Sequence, residues 1–123
     1  MIDIMGSICD LLSNIDDLNG HVYRAWPQKR PSGTHAVVIC MSRQVEDVAH
    51  DGSELCVRLT YSVSLFAPDL SRIDTLTEQV VDLLASYNLH ASTTGPTLVD
   101  ASNLYRTAII LSGSVDVRGN TFS

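Results

Sequence analysis

Residues 55–67 of this chain read LCVRLTYSVSLFA, and apolar side chains occupy every second position along them. Alternation with period two is typical of a β-strand that buries one face and exposes the other. The second face holds one ionised side chain, so it is easily dehydrated against another protein. We expect a buried face of Leu55, Val57, Leu59, Tyr61, Val63, Leu65 and Ala67, and an exposed face of Cys56, Arg58, Thr60, Ser62 and Ser64, with Phe66 as its apolar exception.

Two segments that flank this strand carry the apolar spacing of amphipathic helices. The first covers residues 3–18, where Asp3 is placed to cap the helix start. The second begins at Asp69 or Ser71 and runs to about Tyr87, and Ser71 with Asp74 approximates a capping box. Its expected buried stripe is Ile73, Leu76, Val80, Leu83, Leu84 and Tyr87.

The other segments predict further strands and loops. Residues 35–41 are almost continuously apolar and predict a strand that pairs antiparallel with the long one, across a turn region at 44–53. Residues 104–117 predict a second alternating strand with a bulge at Gly113. Residues 90–103 predict a loop with a short strand at 97–99, and the last five residues predict a loose tail. The expected fold is one α+β domain over residues 1–123, an antiparallel sheet of about four strands with two helices on one face.

Composition restricts the function classes. The chain of 123 residues is 45% hydrophobic, which suffices for a core without disulfides. A net charge of -6 and only 6% aromatic residues argue against a surface that grips or stacks nucleic acid. The cysteines, Cys9, Cys40 and Cys56, are odd in number and lack CxxC spacing, which favours free thiols in a reducing compartment. We expect neither a signal peptide nor a membrane span.

Motifs for catalysis or cofactor binding do not emerge from the sequence. The four histidines form neither HxxxH nor HExxH, and the glycines form neither GxGxxG nor a Walker loop. His50 and Asp51 are adjacent, but neighbours in a tight turn rarely face each other. Cys56 lies near Arg58 without a histidine placed to activate it. We therefore expect no enzymatic activity, no metal and no cofactor, and a small α+β enzyme or ligand-binding domain stays an alternative.

Charge is distributed unevenly along the chain. Residues 19–44 carry basic side chains without an acid, and the second predicted helix carries an acid every four residues. Both patterns are compatible with a solvated loop and a solvated helix face. The functional alternative is that the basic segment of one copy docks on the acidic helix of the next, which makes a head-to-tail contact. The candidate interface residues are Arg24, Lys29, Arg30, Arg43, Asp74, Glu78 and Asp82, with His50, Asp51 and Arg58.

The order of segments resembles a known family. An N-terminal helix is followed by HVYRAWP at 21–27, HAVVICMS at 35–42, CVRLTYSVSLFAP at 56–68, DLSRIDTLTEQVVDLLASY at 69–87 and a closing strand. This order resembles the tail-terminator and tail-to-head joining proteins of long-tailed bacteriophages, including the minor tail protein U group. The resemblance rests on element order and length, and it supplies no catalytic residues.

The resemblance implies a structural virion protein of the tail or neck, assembled in the host cytoplasm. Its copies would form a ring, usually a hexamer, that caps the finished tail tube and presents a surface to the head. The implied partners are other copies of the chain, the tail-tube protein and a head-completion or connector protein, without a membrane. DNA would pass through the lumen without sequence-specific binding. A head-completion or tail-tube subunit is the related alternative.

Overall fold

The computed structural model describes residues 3–28, 31, 33–99, 104–118 and 120–122. Its α-helices are α1 (Met5–Ser13) and α2 (Leu70–Leu84), and single 3₁₀ turns occupy Asp16–Leu18 and Ala85–Tyr87. Its strands are β1 (Val22–Tyr23), β2 (His35–Val48), β3 (Glu54–Ala67), β4 (His90–Val99), β5 (Leu104–Asp116) and β6 (Thr121–Phe122).

The strands form one sheet in the order β1-β2-β3-β5-β4, and β6 also pairs with β5. All pairings are antiparallel except that of β1 with β2. The predicted α+β class is confirmed. The expectation of about four strands is wrong, because the described part of the chain forms a six-stranded sheet.

The core confirms the predicted buried face of β3 from Val57 to Ala67, whereas Leu55 is only partly buried. Strand β3 lies in the sheet between β2 and β5. Both helices pack on this face, so the prediction of two helices on one side holds. From Val57 to Ala67, every second side chain of β3 is almost fully buried. The helices contribute Ile8, Leu12, Ile73, Leu76, Val80 and Leu84 to the same cluster.

The β2–β3 hairpin is antiparallel, as predicted, but β2 extends seven residues past the predicted end at residue 41, through Val48. The expectation that the turn region begins at residue 44 is therefore wrong. Register shifts interrupt β2 after Cys40 and again after Val45, and its outer half is mostly exposed. Because no regular buried face marks this half, alternation could not reveal it. The turn itself contains Gly52 at φ +84°, a conformation that glycine adopts without a steric penalty.

Segment 90–103 was expected to be mainly a loop, but its described part forms strand β4. Serine, threonine, glycine and proline favour turns, yet β-branched threonine also suits a strand. Hydrogen bonding to β5 decides the outcome, with continuous register from His90 to Thr94 and a break between Thr94 and Thr97. The expected loose tail instead pairs with β5 at Thr121 and Phe122.

The first and last residues of the two helices differ from expectation. α1 stops at Ser13 rather than at residue 18, because i→i+3 bonds tighten the chain beyond it. The N-cap of α1 is Ile4 rather than Asp3, although Asp3 Oδ1 accepts the backbone N–H of Met5, the first helical residue, at 2.8 Å. The capping box expected from Ser71 and Asp74 does not form, because α2 already begins at Leu70.

Gly113 does not mark a bulge, because the register between β3 and β5 runs through it without a shift. A Cβ atom at this position would collide with the carbonyl oxygen of Phe122 and with the side chain of Leu89. The glycine is therefore explained by the close approach of β6.

Candidate assembly surfaces

The sheet face that points away from the helices is uncovered over its central strands. Cross-strand partners place Thr60 beside Ser112 and Ser62 beside Ile110, and all four side chains are partly exposed. Arg58 lies on the same face, exposed, towards the hairpin end. We call this surface the open face, and it consists of Arg58, Thr60, Ser62, Ala108, Ile110, Ser112 and Ser114.

One end of this sheet side is covered, which corrects part of the predicted exposed face. Ser64 and Phe66 are 1% and 2% exposed, although both were expected at the surface. Phe66 stacks on His35 with ring centroids 4.5 Å apart, and Trp26 meets Phe66 edge-on at 6.3 Å. The chain around Trp26 therefore folds back over this end of β3.

Arg106 on β5 completes this arrangement. Its guanidinium carbon lies 5.5 Å from the Trp26 ring centroid and 6.0 Å from that of Phe66. Its Nη2 donates to the hydroxyl of Ser64 at 3.1 Å. We call Trp26, His35, Ser64, Phe66 and Arg106 the Trp26–Arg106 cluster.

The charge of Arg106 has no acidic partner within the described chain. The ion pairs there join Arg43 to Glu54 and Arg72 to Asp17. The Nε atom of Arg106 is buried and has no hydrogen-bond acceptor. A partly buried cation surrounded by neutral groups is costly unless an anion approaches it.

Sequence analysis missed the Trp26–Arg106 cluster. Two signals were present: Arg106 breaks the uncharged run of β5, and Trp26 is the only tryptophan. Neither signal indicates that the two side chains meet, because 80 positions separate them in the chain and a fold is needed to join them.

The basic segment does not form one continuous patch. Arg43 makes a two-pronged ion pair with Glu54 across the hairpin, with Nη1 2.7 Å from Oε2. It therefore has an intrachain partner, which was not expected. Arg24 is exposed and extends beside Gly6 of α1, so it lies apart from the hairpin. Lys29 and Arg30 lie outside the described residues.

The acidic side chains of α2 lie where the helical spacing predicted them. Asp74, Glu78 and Asp82 are all exposed, on the side of α2 away from its buried stripe. Within the described residues none of the three takes part in an ion pair. We call these residues the acidic stripe. Their mutual repulsion is relieved when a cation of another molecule approaches.

The remaining candidates are placed singly in the hairpin. His50 and Asp51 are exposed in the turn, and the Asp51 carboxylate accepts the N–H and the hydroxyl of Ser53. These bonds lower the pKa of Asp51 and engage its carboxylate within the turn. At Cys56, partial burial and the nearby Glu46 carboxylate raise the pKa of the thiol, which opposes formation of a nucleophilic thiolate.

A groove of about 790 Å³ lies between the end of α2 and strands β4 and β6. Its lining is mainly apolar, with Asn88, His90 and Thr121 as polar members. Among the residues that the structure describes, no three histidine, cysteine or acidic side chains are grouped to hold a metal ion. Within the same residues no helix combines the length and apolarity needed to cross a bilayer.

Comparisons with known proteins identify no relative of this chain. No protein-family model matches the chain, and no curated protein shows significant sequence similarity to it. Any account of function therefore begins from the open face, the Trp26–Arg106 cluster and the acidic stripe.

Proposed function

We propose that this chain is a structural bacteriophage protein whose copies form a ring, with six subunits, at the end of the tail tube. The ring stops tube polymerisation and joins the tail to the head connector. The observation that carries the proposal is the open face, a sheet surface without a covering layer in the described chain. The resemblance in element order supplies the phage context.

The open face suits contact with another protein. Its hydroxyl and small apolar side chains lose less on dehydration than ionised groups do. It also lies on two hydrogen-bonded neighbouring strands, β3 and β5, so its side chains are held on a rigid support. Interface cores are likewise depleted in charge. A ring subunit needs such a surface for the tube, the connector or the next copy.

The charged surfaces favour a closed ring over a symmetric dimer. The acidic stripe and the Trp26–Arg106 cluster are unlike surfaces on one chain. When unlike surfaces of identical copies meet, the contact is heterologous, and it closes into a ring if the rotation between copies permits. The acidic net charge also suits a channel through which DNA slides without being held.

The decisive experiment measures molar mass by light scattering over a concentration series, with negative-stain images of the same fractions. We expect closed rings of about six copies with a central hole. Long tubes would instead identify a tube subunit.

A chain that stays monomeric would next be mixed with purified tail tubes. We then expect one ring at the tube end and arrest of tube growth. Tubes that grow normally and carry no added density would refute the proposal.

A further inference from the structure

The Trp26–Arg106 cluster has the features of an unfilled anion receptor. The guanidinium group of Arg106 lies over two aromatic rings, and Ser64 holds its Nη2. Stacking and a fixed hydroxyl restrict its rotamers, so less entropy is lost when it binds an anion. Trp26 is 50% exposed, so the cluster can be reached from solvent.

We propose that Arg106, supported by Trp26 and Phe66, receives a carboxylate from the acidic stripe of a second copy. This inference rests on the proposed ring and names the contact that closes it. The ligand chemistry is a protein carboxylate, which a planar guanidinium binds in a two-pronged manner. Both groups lack ionic partners within the described chain.

One copy cannot make this contact with itself. Helix α2 packs on the β3 face formed by residues such as Val63 and Leu65. Arg106 lies beside Phe66, on the opposite face of the sheet. The acidic stripe and Arg106 are therefore separated by the sheet. Only another copy can bring a stripe to the cluster, and the contact is then head-to-tail.

The spacing of the stripe fits a helix laid across the cluster. Asp74, Glu78 and Asp82 recur every four residues, which places one carboxylate at each turn, about 6 Å apart along the axis. Duplex DNA is the less favoured occupant because the chain carries a net charge of -6.

Two variants test the contact by complementation. The first carries Arg106→Glu, and the second carries Asp74→Lys, Glu78→Lys and Asp82→Lys. In each variant alone, like charges would meet, so we expect self-association to weaken by at least about 30-fold. In an equimolar mixture every contact joins opposite charges, so we expect rings with alternating copies. Light scattering and negative-stain images report both results.

Folding and local occupancy are checked separately. The lysine substitutions lie on an exposed helix face, so circular dichroism should show an unchanged fold. Arg106→Gln is a milder second variant, which removes the charge while keeping a donor for Ser64. Because Trp26 is the only tryptophan, its emission should shift to shorter wavelength on assembly, and this shift should be lost in Arg106→Gln.

Two matched controls separate this site from general electrostatics. Arg118→Gln removes an exposed cation just beyond the end of β5 opposite to Arg106, outside the open face, and should leave assembly unchanged. Asp100→Asn removes the acid that precedes β5 in sequence, and it should also assemble normally. If Asp100→Asn abolished the Trp26 shift while the triple lysine variant kept it, the cluster would serve its own chain and the inference would fail.

The remaining outcomes are equally decisive. Normal rings from both charge-reversed variants would overturn the receptor while leaving the proposed ring intact. If the wild-type chain forms rings only on tail tubes, the same variants are tested there, and normal rings from each variant alone would again overturn the receptor. Failure of the wild-type chain to arrest tube growth would refute the ring itself. If Arg106→Gln lost binding to duplex DNA and kept full self-association, the receptor would serve phosphate, contrary to the proposal.

Discussion

Removing the hydroxyl of Tyr61 should detach the start of α1 from the sheet. This hydroxyl donates to Asp3 Oδ1 at 2.6 Å and accepts the backbone N–H of Ile4 at 3.2 Å. The same Asp3 oxygen accepts the N–H of Met5. The fully buried Tyr61 side chain thus joins the centre of β3 to the residues at the start of α1.

The size of the effect follows from these bonds. A hydrogen bond to a charged group contributes about 1.5–3 kcal/mol, and an orphaned buried N–H costs about 1–3 kcal/mol. Asp3 is exposed, so solvent reduces the first contribution. We expect Tyr61→Phe to lower the free energy of unfolding by about 2–3 kcal/mol at pH 7, measured by urea titration.

The pH dependence supplies a second signature. The Tyr61 hydroxyl holds the pKa of Asp3 below its usual 3.8. A lowered folded-state pKa stabilises the fold above the unfolded pKa, and the gain disappears as pH falls through the folded value. The difference between wild type and Tyr61→Phe should therefore be largest above about pH 5 and should shrink below pH 4.

Tyr87→Phe is the matched control, because this half-buried tyrosine makes no side-chain hydrogen bond in the described structure. It should change stability by less than about 0.5 kcal/mol. The reasoning is refuted if Tyr61→Phe is equally harmless, or if its penalty is the same at pH 3 as at pH 7.

Three further substitutions probe the sheet. Val63→Asp should abolish the fold, because it buries an unpaired carboxylate, and a soluble variant with native circular dichroism would show that the face assignment is wrong. Gly113→Ala should displace β6 and cost about 1–3 kcal/mol in urea titration, with faster amide exchange at Phe122, whereas unchanged exchange would contradict the close approach. Arg43→Gln and Glu54→Gln should each weaken the hairpin slightly, and a double-mutant cycle should yield a coupling that fades in high salt. A coupling of zero at low salt would mean that the pair contributes nothing.

Sequence periodicity predicted the elements that bury a face against the core. β3, β5 and α2 appear nearly where alternation and helical spacing placed them. In each of them burial and hydrogen bonding repeat with the same period as the side chains. In these elements the positions of the apolar residues therefore identify the face that packs against the core.

Elements that depend on backbone pairing escaped prediction. All described side chains of β4 are exposed, so no apolar period marks the strand, and its place is determined by β5. The outer half of β2 is similar, since its register shifts disturb any alternation. Strand β6 is a third case. It fits beside β5 because Gly113 has no side chain, and a single glycine does not predict a neighbouring strand.

The candidate surfaces also differ in whether they could be predicted from local sequence or needed the tertiary fold. The acidic stripe follows from helical spacing alone, so Asp74, Glu78 and Asp82 could be placed from sequence. The partner of Arg43 required the register of the hairpin, which joins it to Glu54 across strands. Arg106 required the return of Trp26 over the sheet, a tertiary contact with no local signature.

Strand β4 is an edge strand of the sheet, and the unpaired backbone groups of an edge strand can pair with a strand of another chain. Pro96 lies within it, and a proline has no N–H to offer an incoming strand. An added strand could align with His90–Thr94, but the register break beyond Thr94 and the proline within it interrupt a regular ladder. Fibril formation needs an unbroken ladder of backbone hydrogen bonds, which this edge strand does not provide. Pro96, which favoured a loop in the sequence, thus also limits regular pairing of a further strand along β4.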